Sequence, residues 1–454
     1  MKFKFENVGF IDQGTIELAD LTLICGPNNV GKTYVSYSIY GFINRFKSLV
    51  DFSLSDEQVA TLRDEGVLSI DISEYSEDIK KHIVGASRKY SKTLSKYFNA
   101  PDDLFSNSKV EFSTQDFSLD LSGEFKKTVR FGRSEALIFD KAPDDNMLSV
   151  ALQVAGKMKL PTRILNDVVS DEIADCLFAR SIPKPFVVTS ERTGISLFYK
   201  ELDVSKNAIM EHLTESNDVN PITILNSMRS RYARPIQDNI TVIRDYENIS
   251  KRKSFLRLNK DKKYQPVLDS LRDLLGGSFK SVDKQVIYQP KKEPGREKLS
   301  VPVYIASSSI KSLFLIDMYV NYIAEKKGIL IIDEPELNLH PDNQRKMASL
   351  LARLVNAGIK IMVTTHSDYL IREINNRIML SNDFSSKKTV MKNSKITNED
   401  ILQPDQVKAY NLSTDHSIKE VKVDKYGINM EIFDSLIGEA NSLSDDIYFG
   451  IEGE

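Results

Sequence analysis

The sequence predicts an α/β fold with a mixed sheet, a phosphate-binding loop at its core and a mainly helical insertion. Three observations predict it. A glycine-rich loop follows a short apolar run at residues 21–25. A second apolar run, at residues 328–332, ends in two acidic residues, and a third follows at residues 359–363 after a helix-like segment. Buried parallel strands are apolar on both faces and alternate with the helices that cover them.

The glycine-rich loop matches the pattern G-x-x-x-x-G-K-[ST] without a mismatch. It consists of Gly26, Pro27, Asn28, Asn29, Val30, Gly31, Lys32 and Thr33. Backbone N–H groups of such a loop and the N-terminus of the following helix bind anions. We expect Lys32 to reach the β- and γ-phosphates of ATP, and the Thr33 hydroxyl to bind Mg²⁺. A chance glycine-rich turn would fit the loop alone, so the second motif is needed.

The second motif places Asp333 and Glu334 at the end of an apolar run. Acidic residues at the carboxyl end of a buried parallel strand lie in the crevice where α/β sheets bind ligands. Asp333 would hold Mg²⁺, and Glu334 would act as the general base that polarises the attacking water. The alternative is a strand that ends in solvated carboxylates. An intact phosphate loop in the same chain favours the functional interpretation.

Length and composition limit the class of protein. The length of 454 residues suggests about three domains, or two large lobes. The net charge of −3 shows that the chain as a whole is not a polycation. Cys25 and Cys176 provide neither a disulfide framework nor a metal-binding spacing. The N-terminus lacks the apolar segment of a signal peptide, and no apolar run approaches the roughly 18 residues of a membrane helix. We expect a cytoplasmic protein without a membrane partner.

The remaining sequence predicts further elements around these motifs. Residues 2–18 predict two strands joined by a turn at residues 12–14, and helix-compatible sequence follows the phosphate loop to about Leu49. Residues 53–98 are charged and moderately helical, with no readable function. Residues 109–152 are strand-rich, and residues 183–189 predict another buried strand. The segment Ser190–Gly194, which ends that strand, could meet nucleotide or a partner, or form an ion pair that braces a turn.

A basic stretch extends from Arg229 to Lys263, within the part of the chain that reads as helical. One interpretation is a solvated helical face. The other is a surface that contacts the phosphate backbone of nucleic acid, because aromatic residues are interleaved with the basic ones. The sequence leaves both open, and nucleic acid therefore remains a possible partner.

Four motifs together resemble ABC-type nucleotide-binding domains of the branch that contains SMC, RecF and OLD-family ATPases. Besides the phosphate loop, residues 333–341 read D-E-P-E-L-N-L-H-P, and residues 306–311 stand where the ABC signature stands. Residues 364–367 resemble the switch-histidine motif. The resemblance implies an ABC-type ATPase head at 1–50 and 280–380, with strands from 109–200. The helical insertion would be 201–277, followed by a C-terminal region at 381–454.

The resemblance also implies how the roles divide. Its members bind two ATP molecules between two heads, so we expect an ATP-sandwich homodimer or a higher oligomer in which Ser307 contacts the γ-phosphate of the opposite protomer. A serine N-cap would use the same residue. His366 would point toward the γ-phosphate as a catalytic residue. The signature departs from the family pattern at Ser308 and Ser309, where glycine is usual, and this implies either a dimer that forms differently or slow hydrolysis. Gln13 and Gln153 are the candidates for the Q-loop glutamine.

The chain further resembles stand-alone ATPase subunits of anti-phage defence systems, of the Septu type or linked to retrons. This implies a switch subunit that regulates a separate effector protein, a nuclease. The 88 residues after His366 are too few for an added TOPRIM nuclease. The alternatives are a RecF-like DNA-repair ATPase that clamps DNA directly and a transporter ATPase, which the run at 333–341 argues against.

Overall fold

The structure is a computed structural model, and it describes most of the chain. The described residues are 1–115, 117–131, 135–154, 161–199, 232–258, 262–283, 285–292, 294–295, 299–429, 442–449 and 451. The first part of the predicted helical insertion, residues 201–231, lies outside them.

Strands are numbered in chain order. They are β1 (Lys2–Val8), β2 (Ile11–Glu17), β3 (Leu21–Cys25), β4 (Val67–Asp71), β5 (Lys109–Phe112), β6 (Phe125–Phe131), β7 (Glu135–Lys141), β8 (Met147–Val154), β9 (Pro185–Val188), β10 (Gly277–Val282), β11 (Gln285–Pro290), β12 (Val301–Pro302), β13 (Ile329–Asp333), β14 (Lys360–Thr365), β15 (Val407–Leu412), β16 (Ile418–Val421), β17 (Val423–Asp424) and β18 (Gly427–Ile428).

A six-stranded sheet in the order β16-β15-β3-β14-β13-β9 forms the centre of the fold. Its strands are parallel except β16, which pairs antiparallel to β15. Alternate residues of β3 and β13 belong to two different hydrophobic clusters, one on each face of the sheet. This two-sided burial explains the continuous apolar runs in the sequence. The phosphate loop, the two acidic residues and the His366 segment follow neighbouring parallel strands, so they meet at one edge.

Helices cover both faces of this sheet. The α-helices are Lys32–Leu49, Asp56–Asp64, Ile72–Glu77, Ile79–Ser91, Leu94–Phe98, Thr162–Phe178, Arg192–Phe198, Arg234–Arg244, Tyr246–Ile249, Phe255–Leu258, Gln265–Leu275, Ser308–Met318, Pro341–Asn356, Asp368–Met379 and Lys387–Ser394. A π-helical turn, Tyr319–Ile323, continues the helix that ends at Met318. The described part of 201–277 is mainly helical, as the sequence predicts.

Asn239 seals the outer edge of the sheet at β9. Its side chain is buried in the helix Arg234–Arg244; Oδ1 accepts from the backbone N of Thr189 at 3.0 Å, and Nδ2 donates to the carbonyl oxygen of Val187 at 2.7 Å. An unpaired strand edge is satisfied here by one amide side chain. The helical segment is therefore joined to the core sheet by backbone-directed hydrogen bonds.

The N-terminal hairpin differs from the prediction of a turn at residues 12–14. The chain turns at Gly9 and Phe10, and Gly9 has a φ of 60°. Gly14 lies inside β2, where a Cβ would be 2.4 Å from the Cβ of Ile418. The predicted turn is wrong because this glycine permits close packing and not a reversal.

The division at residue 381 does not separate the C-terminal region from the core. Strand β15 lies parallel to β3, and the hydroxyl of Tyr410 accepts from the backbone N of Glu17 at 2.9 Å. The remaining sheets are β2-β1-β5, β4-β8-β7-β6, β10-β11-β12 and β17-β18. Among the described helices, none has both the length and the apolar character needed to cross a membrane.

Candidate nucleotide-binding site

The phosphate loop connects β3 to the helix Lys32–Leu49. Its backbone has a φ of 141° at Gly26 and of 97° at Gly31, both in the region that favours glycine. A Cβ at Gly26 would lie 2.2 Å from the carbonyl oxygen of Leu412 in β15. Contact and conformation therefore both require glycine at this position. The exposed tip of the loop consists of Pro27, Asn28 and Asn29.

Lys32 lies beneath this loop, with 6% of its surface exposed. Its Nζ donates to the carbonyl oxygens of Gly26 at 2.8 Å and Pro27 at 2.7 Å. Burial lowers the pKa of Lys32, while the nearby carboxylates of Glu334 and Asp333 act in the opposite direction. The ammonium group is thus held within the loop, where an anion bound to the loop's N–H groups would be in reach.

Thr33 and Asp333 connect the phosphate loop to the acidic strand. Thr33 Oγ1 donates to Asp333 Oδ2 at 3.1 Å, and the hydroxyl of Thr364 donates to Oδ1. Burial raises the pKa of Asp333, whereas these hydrogen bonds lower it. Adjacent ligands of an octahedral Mg²⁺ are about 3 Å apart, since Mg–O distances are about 2.0–2.1 Å. The two predicted metal ligands therefore fit Mg²⁺ in oxygen type and separation.

Glu334 follows β13 with its backbone in the left-handed region, at a φ of 52°. Its amide N donates to the carbonyl oxygen of Thr364 at 3.0 Å. A non-glycine residue in this conformation costs on the order of 1 kcal/mol, and it persists where the surroundings fix it. The side chain is about one quarter exposed, at 24%. Its carboxylate is therefore open to water while its backbone is held in place.

His366 lies beside the same carboxylate. Its Nδ1 is 3.3 Å from Glu334 Oε1 and 3.5 Å from Glu336 Oε1. Glu336 is buried, and its Oε1 accepts from the Thr365 hydroxyl at 2.7 Å and from the backbone N of His366 at 3.0 Å. The structure thus brings two predicted residues together. It also places Glu336 at the site. This residue belongs to the 333–341 motif, but the sequence indicated no role for it.

Arg192 is a residue whose role the sequence did not reveal. It is fully buried, and it donates to four backbone carbonyl oxygens: Nε to Ser312 at 3.0 Å, Nη1 to Thr189 at 3.1 Å and to Asp333 at 2.7 Å, and Nη2 to Glu334 at 2.6 Å. Burial lowers the pKa of Arg192, while Asp333, Glu336 and Glu334 oppose this shift. Of the two interpretations left open for this segment, the ion pair that braces a turn does not describe Arg192, because its hydrogen-bond partners are carbonyl oxygens. It fixes the backbone of both acidic residues.

Glu191 lies at the same edge of the sheet, after β9. It accepts a hydrogen bond from the hydroxyl of Tyr37 at 3.2 Å, and its charge contributes to raising the pKa of Asp333. Gln13 and Gln153, the glutamines considered from the sequence, lie in β2 and β8, outside the central sheet. Neither glutamine follows a strand of the central sheet, and the Q-loop glutamine stays unassigned.

Phe10 supplies an aromatic face next to the phosphate loop. It lies in the turn between β1 and β2, 51% exposed, and its ring centroid is 6.0 Å from that of Tyr34. A Cβ at Gly31 would be 3.6 Å from the Cβ of Phe10. An exposed ring at this position can stack on a planar base. The sequence carried no signal for it, because the turn was predicted elsewhere.

Ser307 does not belong to this cluster in the single chain. It is exposed and caps the helix Ser308–Met318, with Oγ accepting from the backbone N of Ile310 at 3.4 Å and lying 3.0 Å from Ser309 Oγ. The alternative of a serine N-cap therefore describes its contacts here. Asn338 donates to Thr193 Oγ1 at 3.0 Å, and His340 caps the helix that begins at Pro341.

The described part of the basic stretch is not a single exposed row. Arg234 pairs with Asp238 at 2.9 Å, and Lys251 lies 4.0 Å from Glu247. Arg257 lies over the ring of Tyr322. Arg229, Arg231 and Lys260 are outside the described residues. Nucleic-acid binding by this stretch stays a prediction.

Comparison with known proteins gives a family match over part of the chain. Residues 157–371 match the family model described as AAA ATPase domain. This range includes Arg192, Asp333, Glu334 and His366. The chain has a mixed α/β fold, and this part of it is similar to AAA ATPase domains. The predicted fold class is confirmed. No curated protein matched the chain.

Solved structures of SMC heads are among those similar to the chain. An Smc head bound to the C-winged helix domain of ScpA has a TM-score of 0.35 at 12% identity, covering 92% of this chain and 96% of that one. An Smc head with an extended coiled coil, bound to the C-terminal domain of ScpA from Pyrococcus furiosus, gives 0.31 at 12% identity, with 98% of each chain covered. The SMC head from Thermotoga maritima gives 0.29 at 10% identity, covering 93% and 98%.

Proposed function

We propose that the chain binds ATP with Mg²⁺ and hydrolyses it. The observation that carries this proposal is the 3.1 Å contact between Thr33 Oγ1 and Asp333 Oδ2. It joins a phosphate-binding loop to an acidic strand that is distant in sequence. The match to an ATPase domain model over residues 157–371 supports the same class of function.

Glu334 is the general base in this proposal. Its carboxylate is partly exposed and lies next to Asp333, so it can accept a proton from the water that attacks the γ-phosphate. Bound Mg²⁺ would be held by Thr33 and Asp333 and would neutralise developing phosphate charge. His366 lies 3.3 Å from Glu334 Oε1, where it orients that carboxylate or contacts the γ-phosphate itself. Arg192 holds the backbone of Asp333 and Glu334 in register.

Lys32→Ala tests nucleotide binding. The substitution removes a charge-assisted contact to phosphate, which is worth about 1.5–3 kcal/mol, or about tenfold to 150-fold in affinity. Lys47→Ala is the matched control, since Lys47 lies in the same helix and pairs with Asp175. Calorimetry with MgATP should show the loss in Lys32→Ala alone. Equal affinities in both variants and the wild type would remove the phosphate-loop assignment.

We further propose that two copies enclose ATP, with Ser307 of one copy facing the γ-phosphate in the other. The family resemblance supports this arrangement, and so does the exposure of Ser307 at a helix N-terminus, where anions bind. Ser307→Arg should block ATP-dependent association and leave ATP binding by the single chain intact. The test introduces Ser307→Arg into the Glu334→Gln protein and measures the molar mass by light scattering in the presence of ATP. ATP-dependent association that survives Ser307→Arg would contradict the arrangement.

We also propose that this ATPase is a switch subunit that regulates a separate effector protein, a nuclease, in anti-phage defence. Resemblance to stand-alone ATPase subunits supports this step, and co-purification with the products of neighbouring genes, with and without ATP, tests it. If no nuclease co-purifies with the chain, either with or without ATP, this regulatory role is rejected. The second candidate is a RecF-like ATPase that clamps DNA directly. A groove between the helix Ile79–Ser91 and β5, lined by Arg88, Lys92 and Lys96 among others, favours contact with nucleic acid.

A further inference from the structure

An unusually basic segment packs against the edge of the N-terminal sheet. Residues 79–101 contain six lysine and arginine residues and no aspartate or glutamate, in a chain whose net charge is −3. They include the helices Ile79–Ser91 and Leu94–Phe98. The charge is therefore concentrated locally and does not reflect the composition of the whole chain.

Two serines fix this segment to strand β5. Ser91 Oγ accepts from the backbone N of Val110 at 3.0 Å, and Ser87 Oγ accepts from the backbone N of Phe112 at 3.1 Å. β5 is an edge strand, so these hydroxyls satisfy N–H groups that no neighbouring strand pairs. The basic helix is thereby held rigidly along the sheet edge.

A groove with a volume of about 660 Å³ runs between this helix and β5. Arg88, Lys92, Lys96 and Lys109 line it. Lys109 pairs with Glu6 at 2.6 Å, whereas Arg88, Lys92 and Lys96 form no ion pair with any described residue. Asp102 and Glu111 also line the groove, and Asp102 accepts a hydrogen bond from Ser95 at 2.5 Å. Three cations therefore remain uncompensated along one side.

The three uncompensated cations come from successive parts of the segment. Arg88 lies in the last turn of the helix Ile79–Ser91, Lys92 is its C-cap, and Lys96 lies in the next helix, Leu94–Phe98, so cations follow one another along the groove. Cationic side chains and hydroxyl groups are the side chains that most often contact nucleic-acid phosphates. We propose that this groove binds the phosphodiester backbone of a nucleic acid, without base recognition.

An aromatic cluster connects the groove with the phosphate loop. Phe105 lines the groove and stacks on Phe98 at 5.0 Å between ring centroids. The ring centroid of Tyr34 lies 5.3 Å from that of Phe98 and 6.0 Å from that of Phe105, and Tyr34 directly follows Thr33. Through these rings, nucleic acid in the groove would act on Tyr34, in the first turn of the helix that follows the phosphate loop. This coupling rests on the proposed ATPase function, whereas binding in the groove does not.

The test is fluorescence anisotropy with labelled single-stranded DNA, duplex DNA and RNA of one length, titrated at several salt concentrations. The groove variant is Arg88→Glu/Lys92→Glu/Lys96→Glu. The control, Lys388→Glu/Lys392→Glu/Lys395→Glu, changes the same charge on exposed residues of the C-terminal region. Removing three backbone contacts should lower the slope of log K against log salt by about 2 for single strands and about 3 for duplex.

We expect the groove variant to lose at least about tenfold in affinity at low salt, with the smaller slope, and the control to keep both. The Arg88→Gln/Lys92→Gln/Lys96→Gln variant repeats the test without charge reversal, and circular dichroism melts check folding. Equal losses of nucleic-acid affinity in the groove and control variants would mean that only net charge matters, and this would overturn the proposal. Unchanged binding in the groove variant, or competition by polyglutamate as strong as by nucleic acid, would also overturn it.

ATP turnover with saturating nucleic acid gives a separate readout of the coupling. Wild-type turnover should change at least about twofold, and the groove variant should keep its basal turnover but lose the response. A wild-type protein that binds nucleic acid with no change in turnover would refute the coupling. A wild-type protein that binds nucleic acid but hydrolyses no ATP would instead refute the proposed ATPase, with the groove retained.

Discussion

Replacing Arg192 by methionine should damage both stability and catalysis, in separable amounts. The guanidinium donates to four carbonyl oxygens, two of them in Asp333 and Glu334. Methionine fills much of the volume but removes these donors; the carbonyl oxygens of Thr189 and Glu334 keep a second donor, the backbone N of Arg192 and of Leu337. Each buried acceptor left without a donor typically costs about 1–3 kcal/mol. A folded domain usually has about 5–15 kcal/mol of stability, so the variant should fold but unfold at lower denaturant.

The catalytic effect should exceed what lost stability explains. Glu334 has a positive φ, and Arg192 Nη2 holds its carbonyl oxygen at 2.6 Å. Release of that carbonyl would let the general base move, and a misplacement of about 1 Å can cost about 100-fold in rate. ATP affinity should change little, because Arg192 makes no described hydrogen bond to the phosphate loop. We therefore expect kcat to fall about 100-fold with a nearly unchanged Kd for ATP.

Arg377→Met is the matched control. Arg377 is also buried; it pairs with Glu373 at 2.7 Å and donates to Ser349 Oγ at 2.6 Å. None of its described hydrogen bonds goes to Asp333 or Glu334. Urea unfolding and steady-state ATPase assays should show similar losses of stability in both variants, with the kcat loss confined to Arg192→Met. Arg192→Lys keeps the charge but cannot reach four carbonyls, and it should be intermediate. Equal kcat values in Arg192→Met and Arg377→Met would refute the positioning role.

Three further predictions concern single side chains. Burial raises the pKa of Asp317 to about 7, from about 3.9 for an exposed aspartate, so its ionisation costs folding free energy as pH rises from about 4 to 7. In urea unfolding, Asp317→Asn should gain up to about 4 kcal/mol of stability at pH 8 and little near pH 4, and a pH-independent difference would contradict this. Phe10→Ala should weaken the binding of ATP about twofold to tenfold in calorimetry, as expected for the loss of one stacking contact, and should leave the binding of inorganic triphosphate unchanged. Equal losses of affinity for both ligands would refute stacking. Because burial raises the pKa of Asp333, Asp333→Asn should raise the melting temperature of the nucleotide-free protein and abolish stabilisation by MgATP over ATP alone; a variant still stabilised by Mg²⁺ would contradict the ligand assignment.

The core of the fold was predictable because its sequence signals are local. Three buried parallel strands gave apolar runs, and the helix after the phosphate loop extends to Leu49 as predicted. Strand β15 was not assigned to the core, because a strand carries no sign of its partner, and its pairing with β3 joins distant parts of the chain. The hairpin turn was misplaced because Gly14 signals a turn and close packing equally well.

The site divides in the same way. Lys32, Thr33, Asp333, Glu334 and His366 stand in motifs whose spacing encodes their chemistry, and the structure places them at one edge of the sheet. Arg192 and Phe10 act through three-dimensional position alone. Three of the four carbonyl oxygens bound by Arg192 belong to residues remote in sequence, and Phe10 reaches the loop through a hairpin turn. No pattern of residue types predicts such contacts without the fold.

Turnover by Glu334→Gln, measured together with ATP affinity, tests the central claim most directly. The amide keeps the shape of the side chain but cannot take the proton of the attacking water, and a general base contributes about 10²–10⁴-fold. The account predicts an ATP Kd close to that of the wild type and a kcat at least about 100-fold lower, with ATP retained on the protein. A kcat equal to that of the wild type would contradict the assignment of Glu334 as the base and would make His366 the first alternative.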